Sequence, residues 1–232
     1  MTMISRRVLL PLLALIALPA TAALAAAAPD WTAKVTLSPI GAHVMGNPAA
    51  PTKVVEYVSY TCSHCAHFVA EGTQPLKAGW VKGGKVSVEV RNAVRDRYDM
   101  TAALLARCGG PARFFGNHEA LFANQDAWMT QLQTYDAAHR EPVPGQTPAA
   151  MFQDIAANTG LTALMTKRGY TAKQLDACLA DKAALAKVTA MTDEAWNKVK
   201  ISGTPGFTVN GSLLANTATW AGLRAALPGG AK

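Results

Sequence analysis

Val54-Val-Glu-Tyr-Val-Ser-Tyr60 is an apolar, β-branched run, and one residue later the chain reads Cys62-Ser-His-Cys65. The run has the length and composition of a buried strand, and residues 62 to about 80 are predicted to form a helix. A helix N-terminus carries partial positive charge, which favours a cysteine thiolate over a thiol. Because the thiolate is the nucleophile in disulfide exchange, this strand–CxxC–helix junction suits that chemistry. His64 adds a second donor or positive charge beside Cys62.

The strand and helix signals on either side of this junction predict an α/β fold. Residues 85–91 alternate apolar and polar side chains, so they predict a second strand that completes a βαβ unit. Residues 207–214 read as a hairpin around Asn-Gly, and residues 217–227 as a closing helix. Helical signals dominate residues 97–200, between the two β regions. The predicted order is βαβ, a helical insertion, then ββα.

The chain divides into four predicted segments. Residues 1–25 resemble a cleaved export signal, with a basic start, an apolar run and an A-x-A site before Ala26. Residues 26–96 form the first half of the fold after a short lead-in, residues 97–200 the insertion, and residues 201–228 the second half. An uncleaved membrane anchor and a twin-arginine signal remain alternatives for the first segment. Cleavage and export predict a periplasmic protein.

Composition excludes some partners. The chain has 232 residues, 50% of them hydrophobic and 16% charged, which is too apolar for a disordered protein. The formal net charge is +7, but Arg6 and Arg7 belong to the signal and the remaining cations are scattered. No nucleic-acid partner is therefore predicted, and the CxxC pair calls for no cofactor.

Two further features support the CxxC motif. Glu56 lies in the middle of the predicted buried strand, where burial raises a carboxyl pKa and suits it to exchange protons with Cys65. An exposed glutamate on an edge strand is the alternative. Thr204-Pro205 precedes the hairpin, and a cis bond there would turn the Thr204 backbone towards a substrate strand. An ordinary trans proline is the alternative.

Together these residues resemble the thioredoxin superfamily, and the helical insertion resembles its DsbA-like branch. The resemblance covers about residues 40–228. It implies that Cys62 is the nucleophile, Cys65 the resolving cysteine and Glu56 the buried acid. It also implies that Pro205 is cis, with Thr204 before it in the substrate site. The implied activity is donation of the Cys62–Cys65 disulfide to reduced or unfolded exported proteins.

The other two cysteines, Cys108 and Cys178, fall on predicted helices of the insertion. The resemblance favours a structural disulfide, since similar second pairs occur in DsbA-like proteins. Two buried free thiols are the alternative.

Three expectations about function remain open. A disulfide isomerase or reductase of the same superfamily is the nearest alternative, but only residues 26–53 precede the first core strand, which favours a monomeric oxidase. A metal-handling protein that uses Cys62, Cys65, His64 and His67 is the alternative from another class; the prediction is no metal. A membrane quinone-linked oxidase is a possible recycling partner.

Overall fold

The computed structural model describes residues 29–140 and 143–230. The predicted signal, residues 1–25, lies outside the described residues. The strands are β1 (Val35–Leu37), β2 (His43–Gly46), β3 (Thr52–Val58), β4 (Val86–Asn92), β5 (Gly206–Val209) and β6 (Ser212–Leu213). The α-helices are α1 (Ser63–Leu76), α2 (Arg97–Ala106), α3 (Pro111–Ala123), α4 (Gln125–Ala138), α5 (Pro148–Asn158), α6 (Leu161–Lys167), α7 (Ala172–Leu179), α8 (Lys182–Asp193) and α9 (Trp220–Ala225).

A six-stranded mixed sheet of order β1-β2-β4-β3-β5-β6 organises the described residues. The strand β3 runs parallel to β4 and antiparallel to β5, so that Glu56 is registered with Val90 on one side and Phe207 on the other. The strand that leads to the CxxC motif is therefore central, with a neighbour on each edge. This arrangement confirms the predicted α/β fold, with its βαβ unit, helical insertion and C-terminal ββα unit.

The lead-in is more structured than the sequence predicts. Residues 29–50 contribute β1 and β2, and β2 pairs antiparallel with β4, for example Val44 with Glu89. The strands are only three and four residues long. Strands this short give little periodic signal, so their pairing depends on the tertiary contact with β4.

The helix α1 continues into a π-helical turn over Lys77–Val81. Pro75 lies inside α1 and has no N–H to donate to the preceding turn, which weakens regular α-helical bonding there. The helical segment from residue 63 to residue 81 thus spans the predicted range.

The hydrophobic core is continuous from the sheet into the insertion. One cluster of buried side chains contains Val54 and Phe207 of the sheet, Phe68 of α1, and Leu105 and Ile155 of the insertion. The insertion is therefore packed onto the sheet by shared core residues. No helix within residues 29–140 and 143–230 is both long and apolar enough to cross a membrane.

The remaining cysteines are joined within the insertion. Cys108 follows α2 and Cys178 lies in α7, and the structure places them in a disulfide that spans 70 residues of sequence. The neighbouring helices have side-chain caps: Thr147 caps α5, and Thr171 forms a capping box with Gln174 at α7.

Candidate active site

The junction between β3 and α1 places Cys62 at the start of the helix. Cys62 is the N-cap residue of α1, with an extended backbone, and its carbonyl accepts the first helical hydrogen bond from the Ala66 N–H. Its own N–H donates to the Ser59 carbonyl at 3.2 Å, which closes the turn after β3. Cys62 is 5% exposed and Cys65 is fully buried, and both are free thiols in this structure.

The environment of Cys62 favours its thiolate and lowers its pKa from 9.0 to about 4. A hydrogen bond from the Cys65 thiol is the largest cause. Burial opposes it, and the Thr204 side chain and the backbone N–H groups of Cys65 and His64 add to the stabilisation. His64 acts on the sulfur through its backbone N–H, and the residue also lines the neighbouring groove.

Cys65 has the opposite environment. Burial raises its pKa well above 9.0, and the hydrogen bond that it donates to Cys62 raises it further. The reduced site therefore holds one anionic sulfur at the helix start and one protonated sulfur behind it. This asymmetry gives one cysteine the properties of a nucleophile and the other those of a resolving thiol.

The loop before β5 faces Cys62. The Thr204–Pro205 peptide bond is cis in this structure. The Cys62 Sγ lies 3.1 Å from the Thr204 carbonyl oxygen, to which the thiol form donates. A groove of about 520 Å³ opens beside this contact, with Pro205, His64 and Leu214 among its lining residues. Thr204 thus both lines this groove and contacts the Cys62 sulfur.

Glu56 is buried beneath the motif. It is 4% exposed, and burial raises its pKa from 4.5 to about 8. Its Oε1 has no hydrogen-bond partner among the described residues, and it borders a cavity of about 20 Å³ that also touches His118. A cavity of this size has room for one water molecule. The alternative of an exposed edge glutamate is therefore wrong, and a negative charge on Glu56 would raise the pKa of Cys65.

Three residues that sequence reasoning missed hold the loop before Cys62. Gln125 of α4 binds the backbone carbonyls of Tyr60 and Cys62, and Asp99 of α2 binds the Tyr60 N–H. Arg95 donates to the Ser59 hydroxyl. They lie 36 to 65 residues from their partners in the sequence, so no local pattern identifies them.

The sequence offers four candidate metal ligands at the start of α1, namely Cys62, His64, Cys65 and His67. Within residues 29–140 and 143–230, no three His, Cys, Asp or Glu side chains are grouped in a way that would hold a metal ion. Cys62, Cys65, His64 and His67 thus do not form a ligand cluster.

Comparison with known proteins places the chain in a family. The family model described as "Thioredoxin" matches residues 38–228. A Rickettsia felis protein named "Putative protein-disulfide oxidoreductase" is 29% identical over 174 residues, which are 75% of this chain and 54% of that protein. A Rickettsia bellii protein of the same name is 27% identical over 169 residues, 72% of this chain and 56% of its own length. The chain thus spans about half the length of the curated relatives it matches.

Solved structures give the same assignment. The crystal structure of protein-disulfide isomerase from Novosphingobium aromaticivorans is 44% identical, with a TM-score of 0.75 over 80% of this chain and 95% of that one. Wolbachia pipientis alpha-DsbA1 is 25% identical, with a TM-score of 0.54 over 78% of this chain and 79% of that one. The chain therefore belongs to the thioredoxin family and is a DsbA-like member of the thioredoxin superfamily.

Proposed function

We propose that this protein is an exported thiol–disulfide oxidase that introduces disulfides into folding periplasmic proteins through Cys62 and Cys65. The observation that carries the proposal is the lowered pKa of Cys62, about 4, at a sulfur that contacts Thr204, a lining residue of the groove beside Pro205. A stabilised thiolate stabilises the reduced enzyme, which makes the disulfide form an oxidant.

The reaction runs in two exchanges. A substrate thiolate attacks the Cys62 sulfur of the Cys62–Cys65 disulfide, so that a mixed disulfide forms and Cys65 leaves with the electron pair. Cys65 then takes a proton, because burial disfavours its thiolate. A second substrate thiolate attacks the substrate sulfur of the mixed disulfide and releases Cys62 as the thiolate. Two substrate thiols become one disulfide, and the enzyme holds the two electrons.

Glu56 is the proposed proton donor to Cys65. With a pKa of about 8 it is largely protonated at neutral pH, so it has a proton to give when Cys65 leaves. A water molecule in the adjoining cavity, which has space for one, would carry the proton between them.

The size of the thiolate effect separates an oxidase from a reductase. At pH 7 a pKa of about 4 in place of about 9 stabilises the reduced form by roughly 4 kcal/mol. For a two-electron couple this raises the reduction potential of the Cys62–Cys65 pair by roughly 90 mV relative to a pair with an unperturbed thiol. We therefore expect a potential more oxidising than the value of about −270 mV typical of thioredoxin, whose own nucleophilic cysteine has a pKa of about 7.

Equilibration of the Cys62–Cys65 pair with glutathione tests the proposal, together with two refolding assays. The oxidised protein should speed the recovery of activity from reduced ribonuclease much more than from scrambled ribonuclease. A thioredoxin-like potential, with no oxidation of reduced ribonuclease, would contradict the oxidase.

A disulfide isomerase is the second candidate. The 44% identical structure is titled a protein-disulfide isomerase, and threonine before the cis-proline is also frequent in isomerase relatives. Faster recovery from scrambled than from reduced ribonuclease would favour this candidate.

Export, monomeric state and recycling are part of the same proposal. Residues 1–25 would direct export and be removed, and a membrane quinone-linked oxidase would return the electrons of Cys62 and Cys65 to an acceptor. Mass measurement of the protein recovered from the periplasm checks cleavage, since removal of the signal would leave a chain that begins at Ala26.

Replacing Glu56 by Gln should remove a pH dependence of stability. The Glu56 pKa is about 8 in the folded protein and near 4.5 when unfolded, so the unfolded state loses its proton first as pH rises. The contribution of Glu56 to the free energy of unfolding should therefore be largest below about pH 4.5 and fall by a few kcal/mol as the pH rises to about 8, because each pH unit between the two pKa values removes about 1.4 kcal/mol. The Glu56→Gln protein should lack this decrease and be the more stable of the two at pH 8.

Denaturant unfolding of the oxidised protein at about pH 4.5 and about pH 8 measures this effect, and the oxidised form removes any contribution from ionisation of Cys62. Glu71→Gln on the exposed side of α1 is the matched control and should keep the wild-type slope. Equal slopes for Glu56→Gln and the wild type would show that the carboxyl titrates normally.

A further inference from the structure

The side chains of Arg95, just before the insertion, and Asp99, at its start, bind the short loop between β3 and α1. Asp99 accepts the Tyr60 N–H at 2.7 Å and the Arg95 N–H at 3.1 Å. The Arg95 guanidinium donates to the Ser59 hydroxyl at 2.9 Å and to the Thr61 hydroxyl at 2.8 Å. These contacts hold the Tyr60 N–H and the hydroxyls of Ser59 and Thr61, and none of them involves a cysteine.

Two backbone carbonyls of the same loop accept hydrogen bonds from Gln125. Its side-chain amide nitrogen donates to the Tyr60 carbonyl at 2.7 Å and to the Cys62 carbonyl at 3.0 Å. Gln125 is the first residue of α4 and is 4% exposed. Among the described residues, the Tyr60 carbonyl has no other hydrogen-bond donor, whereas the Cys62 carbonyl also accepts from the Ala66 N–H.

We propose that Gln125 is a positioning residue that sets the redox properties of Cys62. Its side-chain amide binds the carbonyls of Tyr60 and Cys62, on either side of Thr61, and thereby fixes the orientation of the peptide units that lead into α1. Only with that rotation fixed do the His64 and Cys65 N–H groups stay directed at the Cys62 sulfur. The inference deepens the proposed function and rests on it.

The electrostatic sign agrees with this role. A carbonyl oxygen carries partial negative charge, and the Cys62 carbonyl lies in the same residue as the thiolate. The partly positive amide hydrogens of Gln125 offset that charge without adding a formal charge to a buried site. Loss of these donors would leave the Tyr60 carbonyl unpaired in the interior and remove the constraint on the peptide unit between Tyr60 and Thr61.

Gln125→Met tests the proposal, because methionine keeps the length and loses both donors. The pKa of Cys62 should rise by about one unit, and the equilibrium constant with glutathione should shift about tenfold towards the disulfide form of the protein. The reduced protein should lose more thermal stability than the oxidised protein. Gln133→Met on the exposed side of α4 is the control and should change none of these quantities.

A purely structural role gives a different result. Equal loss of thermal stability in both redox forms, with the Cys62 pKa and the glutathione equilibrium unchanged, overturns the inference. Gln125→Glu is a second variant, which keeps length and polarity in case the methionine protein does not fold. Its carboxylate should raise the Cys62 pKa above that of the wild type, and an unchanged pKa overturns the inference here too.

The wild-type protein separates failure of this inference from failure of the proposed function. A wild-type Cys62 pKa near 9 removes the basis of both. A wild-type pKa near 4 that both Gln125 variants leave unchanged contradicts only the role of Gln125.

Discussion

Replacing Cys62 by Ser should abolish disulfide exchange and leave the fold intact. A serine hydroxyl cannot form the mixed disulfide, and it is not ionised at neutral pH. Cys62 is 5% exposed and belongs to the hydrophobic core cluster, so serine, which has nearly the same size and shape, is the conservative replacement. Oxidation of reduced ribonuclease should fall to the uncatalysed rate, and circular dichroism should stay that of the wild type. The unfolding midpoint at pH 7 should fall below that of the reduced wild type, because serine cannot supply the stabilised thiolate.

Cys65→Ser is the matched control. It keeps the nucleophile and loses the resolving thiol, so mixed disulfides with substrate proteins should accumulate and be visible on a non-reducing gel. Catalysis that persists in Cys62→Ser would mean that another cysteine carries the first exchange.

Loss of the Cys108–Cys178 disulfide should lower the free energy of unfolding substantially. The bond closes a loop of 70 residues, and the chain-entropy model assigns about 4 kcal/mol to a loop of that length, as an upper value. The Cys108→Ala, Cys178→Ala double variant should therefore lower the free energy of unfolding by about 2 to 4 kcal/mol. Denaturant unfolding, with Cys62 and Cys65 in the same redox state in both proteins, measures the difference.

The same variant should keep the reactivity of Cys62. The disulfide joins the end of α2 to α7, and the groups that stabilise the Cys62 thiolate lie in α1 and the Pro205 loop. A wild-type glutathione equilibrium is therefore expected. A changed equilibrium, or unchanged stability, would contradict a purely structural role for this bond.

Sequence reasoning identifies the parts of the site that lie close together along the chain. The strand, the CxxC motif and the helix after it form one continuous signal, and the carboxyl of Glu56 falls six residues before Cys62. Proline is tolerated at the start of a strand, so Pro205 is recognisable only together with the CxxC motif and the hairpin that follows it.

The contacts that cross the fold are not predictable from the sequence. Gln125 is a polar residue at the start of an ordinary helix, and only the packing of α4 against the loop brings it to the Cys62 carbonyl. The strands β1 and β2 are defined by pairing with β4 and carry little pattern of their own. For His64, the sequence indicates a second donor or a positive charge beside Cys62, and only the turn of α1 identifies its backbone N–H as the donor.

Direct titration of Cys62 tests the central claim. The ultraviolet absorbance of the thiolate, followed against pH in the reduced protein with the Cys62→Ser variant as the blank, reports the ionisation of this sulfur alone. The account predicts a midpoint at about pH 4. A midpoint near the ordinary thiol value of 9.0 would contradict it.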